Sequence, residues 1–311
     1  MNVFKHRQFN KGVALITALM VMSLATITAV QMTADQQVYM RRTENIRYHE
    51  QVFMYLLSAE DFTKIVLSED DPKQDSFRDD WYSEEPIVFP IEGGVLTGKV
   101  SDLQGKFNIN NLSKTQRNEW DEDRLRQALS NYNMPADFAS IIIDWMDENQ
   151  DSQPGGAEDV DYLNGDRAYR TAGTKMGSIS ELKLLKGMNQ ENYENLLEVL
   201  TVIPNEDNAT ININSASAPV LRMIIPELSE SEADDLAKDL VENPLNEPDD
   251  LISHALVKGK KVDINGLSTE TNYFLLESFA SVQHAKSRMD SIIYRQSKDD
   301  IKVVMRSQGG L

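Results

Sequence analysis

The chain has 311 residues, 41% hydrophobic and 26% charged, with 50 acidic against 31 basic side chains and a formal net charge of −19. That composition supports packed cores and excludes a wholly disordered chain, while the negative surface repels phosphate backbones. Cysteine is absent, which excludes disulfide frameworks, thiolate zinc sites and thiol nucleophiles. Roughly 150 residues per domain gives a prior of about two domains. Catalytic groups are sparse. The four histidines, His6, His49, His254 and His284, have no metal-ligand spacing, and no G-x-S-x-G elbow occurs. Residues 93–100 come close to a P-loop, but Val100 stands where Ser or Thr would reach magnesium, and the stretch alternates as a hairpin strand does.

Residues 12–34 are 23 uncharged residues in a row, long enough to span a bilayer as a helix. Lys5, Arg7 and Lys11 precede them, which keeps the start cytoplasmic and sends the bulk of the chain across. A secretory signal would end in a small-residue cleavage site, and Met32-Thr33-Ala34 is a poor one. The short basic leader ends in Gly12, and the apolar run begins at once with Val13-Ala14-Leu15-Ile16. This pattern resembles the class III signal of type IV pilins and type II secretion pseudopilins. In that family a prepilin peptidase cuts after the glycine, here between Gly12 and Val13, and methylates the new N-terminus. The apolar segment is retained. Most members carry Glu at the fifth mature position, where this chain has Thr17. A plain signal-anchor is the alternative.

Beyond the apolar run the helical pattern continues through Val52, Leu56, Ala59, Phe62 and Val66, and Asp70-Asp71-Pro72 stops it. Residues 13–67 make a helix of roughly 80 Å. Its first part is apolar all round and its second amphipathic, so a globular head packs on the second part. Residues 87–110 read as short strands with turns at Gly93-Gly94 and Gln104-Gly105. Residues 113–265 are helical, broken by loops. Residues 271–281 then alternate, with Tyr273, Leu275, Glu277, Phe279 and Ser281 on one face, and 287–294 and 301–306 read as two further strands of an antiparallel meander. Strands on both sides of a helical block point to an α+β fold: a pilin-like long N-terminal helix packed on an antiparallel sheet, with a large inserted all-helical domain. The expected divisions are a leader at 1–12, a transmembrane part at 13–34, a head from 35–112 and 266–311, and the insertion at 113–265.

Within the insertion, residues 178–204 read as helix, a turn at Lys186-Gly187-Met188, and helix. Residues 211–244 read similarly, from Ile211-Asn212-Ile213-Asn214 through Ala216, Ala218 and Leu221 to a second helix over 233–241. The second unit resembles a helix-hairpin-helix DNA-binding motif, whose Pro-Gly-Ile-Gly hairpin presents backbone N–H groups to a phosphate. Here the hairpin is Pro226-Glu227-Leu228-Ser229. Both glycines are replaced, and Glu227, Glu230, Glu232, Asp234 and Asp235 add negative charge. It reads as a packing module without the phosphate site, and no nucleic-acid partner is expected.

Residues 144–161 hold Asp144, Asp147, Glu148, Asp151, Glu158, Asp159 and Asp161 and no basic residue. Crowded carboxylates repel one another unless something neutralises them. Asp147, Asn149, Asp151 and Glu158 fall at positions 1, 3, 5 and 12 of an EF-hand count, but Ser152 replaces the required Gly and Pro154 interrupts the loop. The segment is an oxygen-rich loop suited to Ca²⁺, with a solvated acidic loop as the alternative. No aromatic substrate cleft accompanies it, which argues against a carboxylate pair for hydrolysis.

Together these residues resemble the type II secretion system minor pseudopilin K family. The leader around Gly12, Asp144-Trp145-Met146-Asp147, Gly155-Gly156-Ala157-Glu158-Asp159, residues 211–214 with Ala216 and Leu221, and Tyr273-Phe274-Leu275-Leu276-Glu277 carry the resemblance in order along nearly the whole chain. It implies a pilin-like fold with a helical insertion, a structural calcium in the Gly-Gly-Ala-Glu-Asp region, and complexes with the minor pseudopilins I and J. The expected metal ligands are Asp147, Asp151, Glu158, Asp159 and Asp161. It also implies a single pass through the inner membrane with the C-terminal domain in the periplasm, and a place at the tip of a short periplasmic pseudopilus. Thr17 fits, because this family lacks the usual Glu. The expected function is structural rather than enzymatic: initiating and capping a pseudopilus that drives export of folded proteins across the outer membrane. A tip minor pilin of a type IV pilus, a membrane-anchored nucleic-acid-binding protein and a calcium-dependent hydrolase are the other classes.

Overall fold

The computed structural model describes residues 9–114, 116–164 and 168–308. Helix α1 (Phe9–Glu69) has 61 residues, about 90 Å at 1.5 Å per residue. Residues 12–47 are exposed along their whole length, and the most apolar stretch has a mean hydropathy of 2.3. Its hydroxyls bond within the helix: Thr17 Oγ1 donates to Val13 O (3.1 Å) and Ala14 O (3.0 Å), Ser23 to Leu19 O (2.8 Å) and Thr26 to Met22 O (2.8 Å). A helix whose polar side chains are satisfied internally is one that hydrocarbon tolerates.

The second half of α1 packs on the head through Val52, Leu56, Ala59 and Leu67, all buried. The expected apolar stripe is rotated: Phe62 is 49% exposed, and Glu60 and Thr63 take buried positions instead. Glu60 is tolerated there because Arg306 donates to it through Nε and Nη2 at 2.7 Å each and Ser291 Oγ at 2.6 Å. A buried carboxylate needs partners of that kind, which a hydrophobicity pattern does not reveal.

The strands are β1 (Ile87–Ile91), β2 (Gly94–Asp102), β3 (Phe107–Asn108), β4 (Leu200–Thr201), β5 (Ile211–Asn212), β6 (Leu267–Ser268), β7 (Tyr273–Val282), β8 (Ala285–Ser297) and β9 (Asp300–Gln308). Five form an antiparallel sheet in the order β1-β2-β7-β8-β9. Residues 93–100 belong to the β1–β2 hairpin, with Gly93 at φ 75° in its turn. Along β7 the alternation is strict: Phe274, Leu276, Ser278, Ala280 and Val282 are buried, and the intervening residues are half-buried on the opposite face. α1 packs on this sheet.

β2 pairs with β7 from Gly94↔Val282 to Asp102↔Phe274, so the insertion leaves and re-enters between two neighbouring strands. Its helices are α2 (Glu119–Asn131), α3 (Asp137–Met146), α4 (Asp159–Leu163), α5 (Gln190–Val199), α6 (Ala218–Ile224), α7 (Glu230–Glu242) and α8 (Asp250–Ser253). It is not wholly helical. β3 pairs with β4 and β5 with β6, both parallel, and residues 179–184, expected as α-helix, form a 3-10 helix. Phe107, Ile109 and Leu112, read from the sequence with the head, pack in the insertion's own core, which is separate from the core under α1.

Two matching turns build the insertion. Asn108 (φ −75°, ψ 111°) and Asn212 (φ −76°, ψ 111°) each open a 3-10 turn and accept from the backbone N–H two residues on. Two residues later, Asn110 brackets Met176, donating to its O at 3.0 Å and accepting from its N at 2.8 Å. Asn214 brackets Leu245 in the same way at 3.0 and 2.8 Å. The junction with the head is polar and buried. Arg295, 1% exposed, lies over the Phe274 ring and donates to Asp70 (2.9 Å), Asp75 and Thr271 O (3.0 Å). Asp102 at the end of β2 accepts from Ser215, Thr271 and Asn212, although burial still pushes its carboxyl upward.

Candidate metal centre

The last six residues of helix α3, 141–146, are apolar except for Asp144, which is fully buried. An anion at the C-terminal turn of a helix opposes the dipole, so Asp144 depends on partners beyond the helix. It accepts from Gln153 N (3.1 Å) and Ser152 Oγ (3.3 Å). The two glycines permit this approach. Gly155 has φ 81°, and a Cβ on Gly156 would stand 1.8 Å from Asp144 Oδ2. Asp147 Oδ1 accepts from Asn149 N (3.2 Å), and Asn149 Oδ1 from Asp151 N (2.7 Å), folding the loop back.

Glu158 precedes α4 and is 4% exposed, yet neither of its carboxylate oxygens has a hydrogen-bond partner. Oxygen atoms of Asp144, Asp147 and Glu158 lie within 4.8 Å of one another. Among the described residues no cation forms an ion pair with any of the three. Burial, and then the charges of Asp144, Asp147, Asp159 and Asp151, push Glu158 up to about 7. Burial and Asp144 also raise Asp147. An orphaned, buried carboxylate in an all-oxygen cluster fits a hard divalent cation far better than an imidazole- or thiolate-preferring metal. Asp147, one of the three, also lines a cleft of about 680 Å³ together with Lys114, Arg117, Asp151, Gly173 and Lys175.

Of the expected ligands, the structure brings Asp147 and Glu158 together and adds Asp144 as the third. Asp151 lies outside the cluster, exposed. Asp159 and Asp161 are engaged elsewhere. Asp159 Oδ1 accepts from Thr171 N (2.9 Å) and Oγ1 (3.0 Å), and its Oδ2 pairs with Arg170 (3.4 Å). Asp161 takes Lys186 Nζ at 2.7 Å and Glu158 N at 3.2 Å, which holds its carboxyl below the usual range. The signal for Asp144 was its place inside the apolar run 141–146, where a lone carboxylate requires a buried partner.

Gly12 and Val13 lie exposed in the first turns of α1, and nothing stands within 4 Å of a Cβ on Gly12. The leader up to residue 8, with Lys5 and Arg7, lies outside the described residues. The helix-hairpin-helix-like unit is present as α6, the 226–229 hairpin and α7, but its donors are spent. Ser229 N donates to Glu232 Oε2 (2.8 Å), Ser229 Oγ accepts from Glu232 N (3.3 Å), and Glu227 accepts from Lys261 N (3.2 Å). The N–H groups a phosphate would use serve as a helix cap.

The family model for type II secretion system (T2SS), protein K matches residues 105–205. The type II secretion system protein K of Pectobacterium carotovorum subsp. carotovorum is 30% identical over 244 residues, covering 73% of this chain and 74% of that protein. The chain belongs to the type II secretion system protein K family. The protein K of Pseudomonas aeruginosa is 29% identical over 322 residues, 98% of this chain and 95% of the relative. The fold matches a solved structure, the crystal structure of the GspK-GspI-GspJ complex from the enterotoxigenic Escherichia coli type 2 secretion system, with a TM-score of 0.76 at 23% identity, covering 87% of this chain and all of that one. The family is a structural component of a secretion system. The segment its model matches contains Asn108, Asn110, α3, the acidic loop and the Met176 bracket.

Proposed function

We propose that this protein K family member is a minor pseudopilin that initiates and caps the tip of a periplasmic pseudopilus, and that it is a structural subunit rather than an enzyme. Prepilin peptidase would cut between Gly12 and Val13 and methylate Val13. The mature protein would stay in the inner membrane through the exposed apolar part of α1, with the head and insertion in the periplasm. The observation that carries the tip position is Thr17. When pilin-class helices bundle, each N-terminal ammonium is buried, and the Glu at the fifth position of an incoming subunit neutralises the ammonium of the one ahead. An unpaired charge at membrane depth costs about 2.5–3.5 kcal/mol. Thr17 brings no carboxylate, and its hydroxyl is already spent on Val13 O and Ala14 O. Such a subunit suits the first place in a filament, which has no predecessor. A large insertion between β2 and β7 supports the same place, because it would clash with a subunit stacked above.

The expected partners are the minor pseudopilins I and J, in line with the complex whose fold this chain shares. A strain lacking the chain should lose secretion, and the detergent-extracted protein should co-purify with I and J. Normal secretion without it would reject the proposal. At the acidic loop, Asp144, Asp147 and Glu158 would hold Ca²⁺. The ion would supply positive charge to carboxylates that otherwise repel. The chain's own residues prepare the place: Gln153 N and Ser152 orient Asp144, Asn149 orients Asp147, and the start of α4 delivers Glu158. Isothermal titration of chelator-treated protein with Ca²⁺ tests this assignment, and absence of binding at millimolar Ca²⁺ would reject it.

A further inference from the structure

Residues 168–176 form a strap across the end of α3, fastened at three points. Thr171 donates to Asp159 through N and Oγ1, Gly173 N donates to Trp145 O (3.1 Å), and Asn110 brackets Met176. Trp145 O is one of the last carbonyls of α3, which have no partner within the helix, so the strap completes that terminus. Beneath it Trp145 is 2% exposed, in edge contact with the Tyr162 ring at 5.3 Å and the Tyr169 ring at 6.2 Å. The first fastening point adjoins the metal centre, because Asp159 follows Glu158 directly. Glu158 is the extended residue before α4 (φ −116°, ψ −178°) and Asp159 the first helical one, so their side chains leave the backbone in different directions. Glu158 therefore enters the carboxylate cluster while Asp159 turns to the strap.

We propose that Asp159 is a positioning residue for the cation at Asp144, Asp147 and Glu158: it does not ligate, but by holding Thr171 and Arg170 it seats the strap and fixes the backbone from which Glu158 reaches inward. This rests on the assignment of Ca²⁺ to that cluster. Asp159 is poorly placed to act as a ligand as well. One oxygen accepts two hydrogen bonds, the other faces a guanidinium, and its own N–H donates to Gln150 Oε1 (3.3 Å). Binding free energies are reciprocal: if the seated strap favours the ion, the ion favours the seated strap by the same factor. The metal centre and the surface made by α4 and the strap then form or loosen together.

The test uses the full chain in detergent, with Ca²⁺ affinity by calorimetry and amide exchange at Gly173 as the second readout. Asp159→Ala should weaken Ca²⁺ by about tenfold, the usual scale for a group that orients a ligand, and Thr171→Val, which keeps the backbone N–H bond to Asp159, by less. The double variant should be no weaker than Asp159→Ala alone, because both remove one coupled contact. Ca²⁺ should slow exchange at Gly173 in the wild type, and saturating Ca²⁺ should fail to do so in Asp159→Ala. Exchange at Leu245, bracketed in the second unit, reports that each variant is folded. A large loss of affinity in Asp159→Ala with exchange at Gly173 as slow as in the wild type would make Asp159 a ligand and overturn the proposal. Wild-type affinity and exchange in both variants would overturn it too. Wild-type affinity in Glu158→Gln would instead reject the metal assignment, a separate result.

Discussion

Glu158→Gln separates the charge of the orphaned carboxylate from its shape. Burial and the surrounding carboxylates push Glu158 up to about 7 when no cation is bound, against an ordinary 4.5. Its folded state holds the proton more tightly than the unfolded chain does. The stabilising contribution is therefore complete below about pH 4.5 and lost as pH rises through about 7. The full shift corresponds to about 3 kcal/mol. For a unit the size of the insertion, a kilocalorie moves the melting temperature by roughly 2–4 °C. In chelator the wild type should thus melt roughly 6–12 °C lower at pH 8 than at pH 5, beyond the pH dependence shared with the variant. Glu158→Gln, neutral throughout, should show no such excess and should melt above the wild type at pH 8. Calcium should narrow that gap: at ten times Kd it stabilises the wild type by about 1.4 kcal/mol, roughly half of the difference, and leaves the variant unmoved. Differential scanning calorimetry of the full chain in detergent, in chelator and in millimolar Ca²⁺, reads all four conditions. Superimposable pH profiles for the two proteins, or equal stabilisation of both by calcium, would refute the reasoning.

Gly156→Ala should abolish the calcium response without altering a ligand, because its Cβ would meet Asp144 Oδ2 at 1.8 Å; retained calcium stabilisation in calorimetry would contradict the loop geometry. Arg295→Met should destabilise the junction by about 3–5 kcal/mol, since it leaves Asp75 buried without its cation. Denaturant unfolding checks it, and a loss under 1 kcal/mol would show the junction to be expendable. Gly12→Val should block processing, because a bulky side chain replaces the glycine before the cut. Mass spectrometry should then find N-methylated Val13 only in the wild type, and the same mature N-terminus in both would count against the class III reading.

The long helix, the β1–β2 hairpin, the terminal meander and the insertion between sheet strands were all legible, because each rests on local periodicity or on element order. Phe62 shows where periodicity stops. It fits the apolar stripe by spacing, yet Glu60 and Thr63 are buried in its stead because Arg306 and Ser291 wait on the sheet. Phe107, Ile109 and Leu112 follow a strand of the head but pack in the insertion, a choice made by tertiary contacts alone. The carboxylate cluster was legible as a region and not residue by residue. Carboxylates adjacent in sequence looked equivalent, whereas Thr171, twelve residues after Asp159, and Lys186, twenty-five after Asp161, claim two of them. Asp144, one of the seven carboxylates of 144–161, joins the cluster from the last turn of α3.

The tip position is the central claim, and immunogold labelling of pseudopili tests it most directly. The account predicts gold at one end of each filament, in a strain where Thr17 and the insertion are intact. Gold distributed along the filament would contradict it.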